Sequence, residues 1–139
     1  MLNLAYIGSG PISEFHIPAL RKAGFNISSI SSRKDSKNIK AFAQKFDIKN
    51  IIPDWHKLHD IVNDYDAIMI AVDIDVTSEI LNNLIEIHKP ILVEKPISIK
   101  SKEIREIIEK NNEKIFVAYN RRYYNSTAWV KKFIESKSN

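Results

Sequence analysis

"LNLAYIGSGPISEFHIPAL", residues 2–20, decides how the chain is read. Leu2 to Ile7 has the length and apolar character of one strand, and it runs without a linker into Gly8-Ser9-Gly10. A helical pattern comes at once, with Ile12, Phe15, Ala19, Leu20 and Ala23 predicted on one face. A strand that turns sharply on glycine into a helix makes an anion site. Gly8 permits the tight turn, and Gly10 lets the backbone approach a phosphate with no Cβ in the way. The helix N-terminus then presents free N–H groups. The third small position of the pattern is Ser13 rather than glycine, which loosens helix–strand packing slightly. Pro18 lies within the helical pattern and should kink or shorten it. Taken alone, a degenerate G-x-G is a weak signal, because any strand-to-helix turn can carry one. Its weight comes from its place in the first turn of a longer β-α series.

Strand-like and helix-like segments alternate from there to the end. "GFNISSISS" (24–32) is β-branched, and "KDSKNIKAFAQKF" (34–46) places Ile39, Phe42, Ala43 and Phe46 at helical spacing. Ile51 and Ile52 form a short strand ended by Pro53. Asp54 then caps a predicted helix that buries Trp55, Leu58, Val62 and Tyr65. "AIMIAV" (67–72) is apolar throughout, as a strand inside a parallel sheet covered on both faces should be. Val76, Ile80, Leu81, Leu84 and Ile85 mark the next helix, "ILV" (91–93) the next strand, and Ile104, Ile107 and Ile108 the helix after it. "KIFVAY" (114–119) is the last strand, and Trp129, Val130, Phe133 and Ile134 mark the last helix. The β-α unit recurs about six times with short connections, which calls for a doubly wound parallel sheet.

The 139 residues, 44% hydrophobic and 27% charged, suit one soluble domain rather than a disordered chain. The net charge of +4 comes from scattered lysines, which favours small anionic ligands over a nucleic-acid surface. With no cysteine there is neither a disulfide nor a thiolate metal site. His56 and His59 lack the spacing of metal ligands and are read as structural, so no metal is expected. The N-terminus has no basic region and too short an apolar run for a signal peptide, and no stretch reaches membrane-spanning length. The expected location is the cytoplasm.

Two further stretches bear on the ligand. After the second strand the chain reads "SSRKDSK" (31–37): Ser32 and Arg33 stand where a carboxylate would hold an adenine ribose, and Asp35 is placed to cap the next helix. An arginine there suits a 2′-phosphate, so NADP, or use of both NADP and NAD, is favoured. After the fifth strand, Glu94, Lys95 and Pro96 sit just past the carboxyl end, where ligands bind in open parallel sheets.

"GSGPISEFHIPAL" (8–20), "SSRKDSKNIKAFAQKF" (31–46), "ILVEKPIS" (91–98) and "AYNRRYYNS" (118–126) together resemble the N-terminal domain of the glucose–fructose oxidoreductase / inositol dehydrogenase / MocA family. The likeness covers nearly the whole chain. It implies a Rossmann-type sheet of about six strands in an α/β domain, with residues 1–120 binding NAD(P) and 121–139 leading towards an absent C-terminal α+β domain. Carried over position by position, it sets the dinucleotide against Gly8, Ser9, Gly10, Pro11 and Ile12, then Ser32 and Arg33. Beyond these come Ala71, Val72, Asp73 and Thr77, then Glu94 and Lys95, then Asn120. It makes Lys95 the catalytic candidate, beside nicotinamide and substrate, and implies a cis bond before Pro96. Glu94 and Lys95 should point apart, since pairing would oppose any lowering of the lysine pKa.

The chain departs from the family where Thr-Pro-Asn and a histidine commonly follow the fourth strand. It reads "AVDIDVT" (71–77), with Thr77 at the histidine position. His88 stands where the family often has glycine, and is read here as a helix-end cation. The implied activity is hydride transfer between a nicotinamide and a hydroxyl-bearing carbon of a sugar or polyol-like substrate. Homo-oligomerisation is expected, with neither nucleic acid nor membrane as a partner. The alternatives are a dinucleotide-binding module without turnover, serving as sensor or subunit, and a structural partner subunit.

Overall fold

The structure is a computed structural model that describes residues 1–33, 36–110 and 114–137, so the expected cap at Asp35 lies outside it. Six parallel strands form one sheet in the order β3-β2-β1-β4-β5-β6. They are β1 (Leu2–Ile7), β2 (Phe25–Ser31), β3 (Asn50–Ile52), β4 (Ala67–Ile70), β5 (Ile91–Val93) and β6 (Ile115–Val117). The helices are α1 (Ser13–Lys22), α2 (Ile39–Lys45), α3 (Ile74–Leu84), α4 (Ser101–Lys110) and α5 (Asn125–Glu135). The chain therefore winds outward from β1 in one direction, returns to the centre, and winds out the other way. The reversal between β1 and β4 opens a crevice at their carboxyl ends.

Alternation along each strand divides the core between two faces. Ala5, Ile7, Ile68, Ile70, Ile91 and Val93 point to one side and pack with Leu58, Ile80, Leu81, Leu84 and Ile107. Leu4, Tyr6, Ile30 and Met69 point to the other and meet Ile17, Phe42 and Ala43. The second cover is incomplete. Among the described residues, that face beyond β4 carries only half-buried Leu92 and exposed Phe116, flooring an open groove of about 880 Å³ with Leu20, Phe25 and Tyr123 at its walls. Cover on both faces, expected from the apolar β4, holds at the sheet centre and fails at β5–β6. Nor does α5 supply it: Trp129, Val130, Phe133 and Ile134 are all exposed, and its main contacts are with the turn Asn120–Tyr123.

Other expectations need correction. In α1 the buried residues are Ser13 and Ile17 with Leu20 half-buried, whereas Ile12, Phe15, Ala19 and Ala23 are exposed. The tight Gly8 turn causes this, because it brings Ser13 Oγ within 3.5 Å of where a Gly8 Cβ would stand and so turns that side of the helix to the sheet. Pro18 neither ends nor shortens α1, which continues to Lys22 with the proline on its exposed side. The predicted helix after Asp54 is built of 3-10 turns over Trp55–Asp64, with Ile61 non-helical (φ −118°, ψ 27°). Asp54 does cap it, accepting from the His56 N–H at 3.0 Å. In α4 only Ile107 is fully buried, and Ile108 is exposed. Among the described residues no helix is long and apolar enough to cross a membrane.

Candidate dinucleotide site

The crevice at the carboxyl ends of β1, β2 and β4 is a groove of about 590 Å³. Its walls are Gly8, Ser9, Gly10, Pro11 and Ile12 from the first turn, Ser32, Arg33 and Ser36 after β2, and Ala71, Val72 and Asp73 after β4. The two glycines have different reasons. Gly8 has φ +131°, and a Cβ there would lie 2.0 Å from the Ala71 carbonyl oxygen, so only glycine fits. Its N–H donates to the Ser31 carbonyl at 2.8 Å, which ties the turn to β2. Gly10 is unstrained, and a Cβ there would meet nothing within 4 Å. The space it leaves belongs to the groove. Among the described residues the Gly10 and Ile12 N–H groups donate to no protein acceptor, so the turn offers donors together with the positive end of α1. That is a cradle shaped for a phosphate. The residues present fit a pyrophosphate.

Arg33 crosses the rim. Its Nη2 lies 2.8 Å from Asp73 Oδ2 and 3.3 Å from Asp75 Oδ1, joining the end of β2 to the segment after β4. Thr77 stands apart from the groove. It is buried, with its hydroxyl donating to the Asp73 carbonyl at 3.0 Å, and so secures the start of α3. Across the rim, the Ser9 and Ser36 hydroxyls are 3.3 Å apart.

Glu94 and Lys95 lie farther along the same edge of the sheet. Glu94 Oε1 is 2.9 Å from His16 Nε2 on α1, while its Oε2 accepts the Lys95 backbone N–H at 3.0 Å. His16 Nδ1 in turn lies 3.1 Å from the Tyr6 hydroxyl, whose pKa is raised, chiefly by burial. Both Glu94 carboxylate oxygens thus have partners other than the Lys95 ammonium. The lysine is exposed and, among the described residues, makes no ion pair. The bond before Pro96 is cis. Asn120, also exposed, sits beside the open groove over β5–β6 and not among the residues of the glycine-turn groove.

Four residues at this edge escaped sequence reasoning: Tyr6, His16, Ser36 and Asp75. His16 lies in the opening stretch, but its partner Glu94 is remote in sequence, and only the β1-β4-β5 order brings them together. His56 and His59 hold structural contacts, to Asp54 and Asn83, and no metal-type cluster occurs among the described residues. His88 does stand at a helix end, directly after the 3-10 turn Ile85–Ile87. It takes φ +58°, ψ 23°, a left-handed conformation that glycine occupies at least cost.

A glycine cradle at the switch point of a 3-2-1-4-5-6 sheet defines a dinucleotide-binding α/β domain. Residues 2–119 match the oxidoreductase family with an NAD-binding Rossmann fold that is named for GFO, IDH and MocA, and the chain belongs to that family. It is 30% identical over 135 residues to the uncharacterized oxidoreductase YrbE of Bacillus subtilis (strain 168), covering 94% of this chain and 39% of that one. The myo-inositol dehydrogenase of Lactobacillus casei, solved with NAD(H) and myo-inositol, superposes with a TM-score of 0.85 at 19% identity, covering 98% of this chain and 42% of that one. A levoglucosan dehydrogenase, solved with NADH and levoglucosan, gives a TM-score of 0.82 at 25% identity, over 97% of this chain and 39% of that one. The chain thus spans about two fifths of the length of these relatives.

Proposed function

We propose that the groove holds a nicotinamide dinucleotide, with the pyrophosphate on the Gly8–Gly10 turn, and that the chain serves hydride transfer to or from a hydroxyl-bearing carbon of a sugar or polyol. The observation that carries this reading is the pairing of Gly8 and Gly10. One is demanded by the fold, and the other leaves open a space that the fold does not use. When bound, the nicotinamide would supply the hydride donor or acceptor. The chain's own part is to bind and to orient. Glu94 fixes the backbone of Lys95, leaving its ammonium to meet a substrate hydroxyl at the end of β5.

The lean towards NADP rests on a guanidinium free for a 2′-phosphate. Arg33 instead faces two carboxylates, which favours NAD. The exposure of Lys95 favours a second reading, a dinucleotide-binding module without turnover, since an open site cannot exclude water.

Titration of the chain with NADH and NADPH, followed by nicotinamide fluorescence, should give saturable binding. No binding of either at millimolar concentration would sink the proposal. Turnover on polyols or sugars, measured on the same sample, separates the two readings.

A further inference from the structure

If the groove takes a nicotinamide dinucleotide, as the proposed function holds, its rim decides which one. Arg33 leaves the end of β2, whereas Asp73 and Asp75 come after β4, and these strands flank β1 on opposite sides. The guanidinium therefore spans the mouth of the groove, and both carboxylates converge on the same nitrogen, Nη2. Two negative charges against one positive leave this trio of described side chains net negative. An adenosine 2′-phosphate would add about −1.5 to −2 more. It would have to draw Arg33 away from both aspartates and then stand beside them. An unphosphorylated ribose needs only hydrogen bonds there, and suffers neither penalty.

We infer that Asp73 and Asp75 are specificity-determining residues: by occupying Arg33 they turn the groove towards NAD and against NADP. All three side chains are substantially exposed, at 46% for Arg33, 79% for Asp73 and 69% for Asp75. Exposed ion pairs contribute little to folding, so these charges can be removed without unfolding the domain. Asp73 precedes α3 without making a side-chain cap bond, and asparagine is equally suited to that position.

The test is the ratio of NADPH to NADH dissociation constants, measured by fluorescence on the whole chain, with circular dichroism to verify each fold. The unaltered chain should favour NADH. The double variant Asp73→Asn/Asp75→Asn should shift the ratio about tenfold towards NADPH, and less so at high salt. Arg33→Ala should weaken NADPH binding about tenfold in the double-variant background, but less than about threefold in the unaltered chain, because the arginine is engaged there. Preference for NADPH by the unaltered chain would overturn the inference. So would an unchanged ratio in the double variant, loss of all binding by that variant, or an equal effect of Arg33→Ala in both backgrounds. Failure of the unaltered chain to bind either dinucleotide is a separate result, which removes the proposed function itself and the inference with it.

Discussion

Substituting alanine for Gly8 and valine for Gly10 should have opposite consequences, although only Ser9 separates the sites. At Gly8 the backbone lies at φ +131°, where a side chain costs about 1–3 kcal/mol. The new Cβ would also stand 2.0 Å from the Ala71 oxygen and 2.9 Å from its carbonyl carbon. These are backbone atoms of a segment that cannot swing aside, because the Ala71 N–H donates to Ile7 at 2.8 Å and the Gly8 N–H to Ser31 at the same distance. Separating them by an ångström or more sacrifices those two bonds, at about 1 kcal/mol each. Gly8→Ala should therefore destabilise the fold by about 3–5 kcal/mol, a large part of a typical domain's margin of about 5–15 kcal/mol. At Gly10 the Cβ direction is empty and the backbone ordinary, so Gly10→Val should change stability by less than about 1 kcal/mol. Its side chain fills the cradle, however, and NADH binding should be lost. Urea denaturation followed by tryptophan emission reads the first effect, since Trp55 lies in the core, and NADH titration reads the second. A Gly8→Ala chain within about 1 kcal/mol of the parent would refute the packing argument. Undiminished NADH binding by Gly10→Val would refute the cradle.

His88→Gly should stabilise the chain by about 0.5–1 kcal/mol, because the left-handed conformation costs a side chain more than the loss of glycine's added freedom on folding costs the native state. The bond from Lys114 Nζ to the His88 carbonyl uses only the backbone of residue 88 and survives, so a lower urea midpoint would contradict the assignment. The chain should also self-associate through the exposed face of α5, where Trp129 and Phe133 stack at 5.5 Å between ring centres. Light scattering should show mass rising with concentration and Trp129→Asp reducing it, whereas a clean monomer with low dye binding would count against that face.

Element order and sheet class were legible because each strand is an apolar run or, in β2, an alternation of apolar and polar residues, and each helix carries one apolar stripe. Which side of α1 faces the sheet was not. Ile12, Phe15 and Ala19 look like a stripe, but the helix is positioned by the glycine turn before it, and that turn buries the small polar Ser13 instead. Periodicity within a helix cannot show a constraint imposed from the preceding loop. The same limit applies to the segment after Asp54, whose apolar residues suit a helix and yet reach the core through 3-10 turns broken at Ile61. In the site, the glycine turn was readable as a local motif. The Arg33 ion pairs were not, because their partners lie 40 and 42 positions away.

Glu94 shows what tertiary structure adds to a motif. In sequence it adjoins Lys95, and the two side chains are expected to point apart. Among the described residues the ion pair of Glu94 is with His16. The Glu94 N–H is held by the Ile70 carbonyl at 2.8 Å, which continues the β4–β5 ladder one residue past the strand. From that fixed point one carboxylate oxygen reaches His16 on α1, and the other turns back to the Lys95 backbone. His16 is itself steadied by Tyr6 from inside β1. The acid therefore works as a brace between the first helix and the fifth strand, fixing the peptide that carries Lys95. Because its oxygens have partners in this brace, the lysine is not tied to its neighbour. Its charge is left at the carboxyl edge of the sheet, the edge at which open parallel sheets bind ligands.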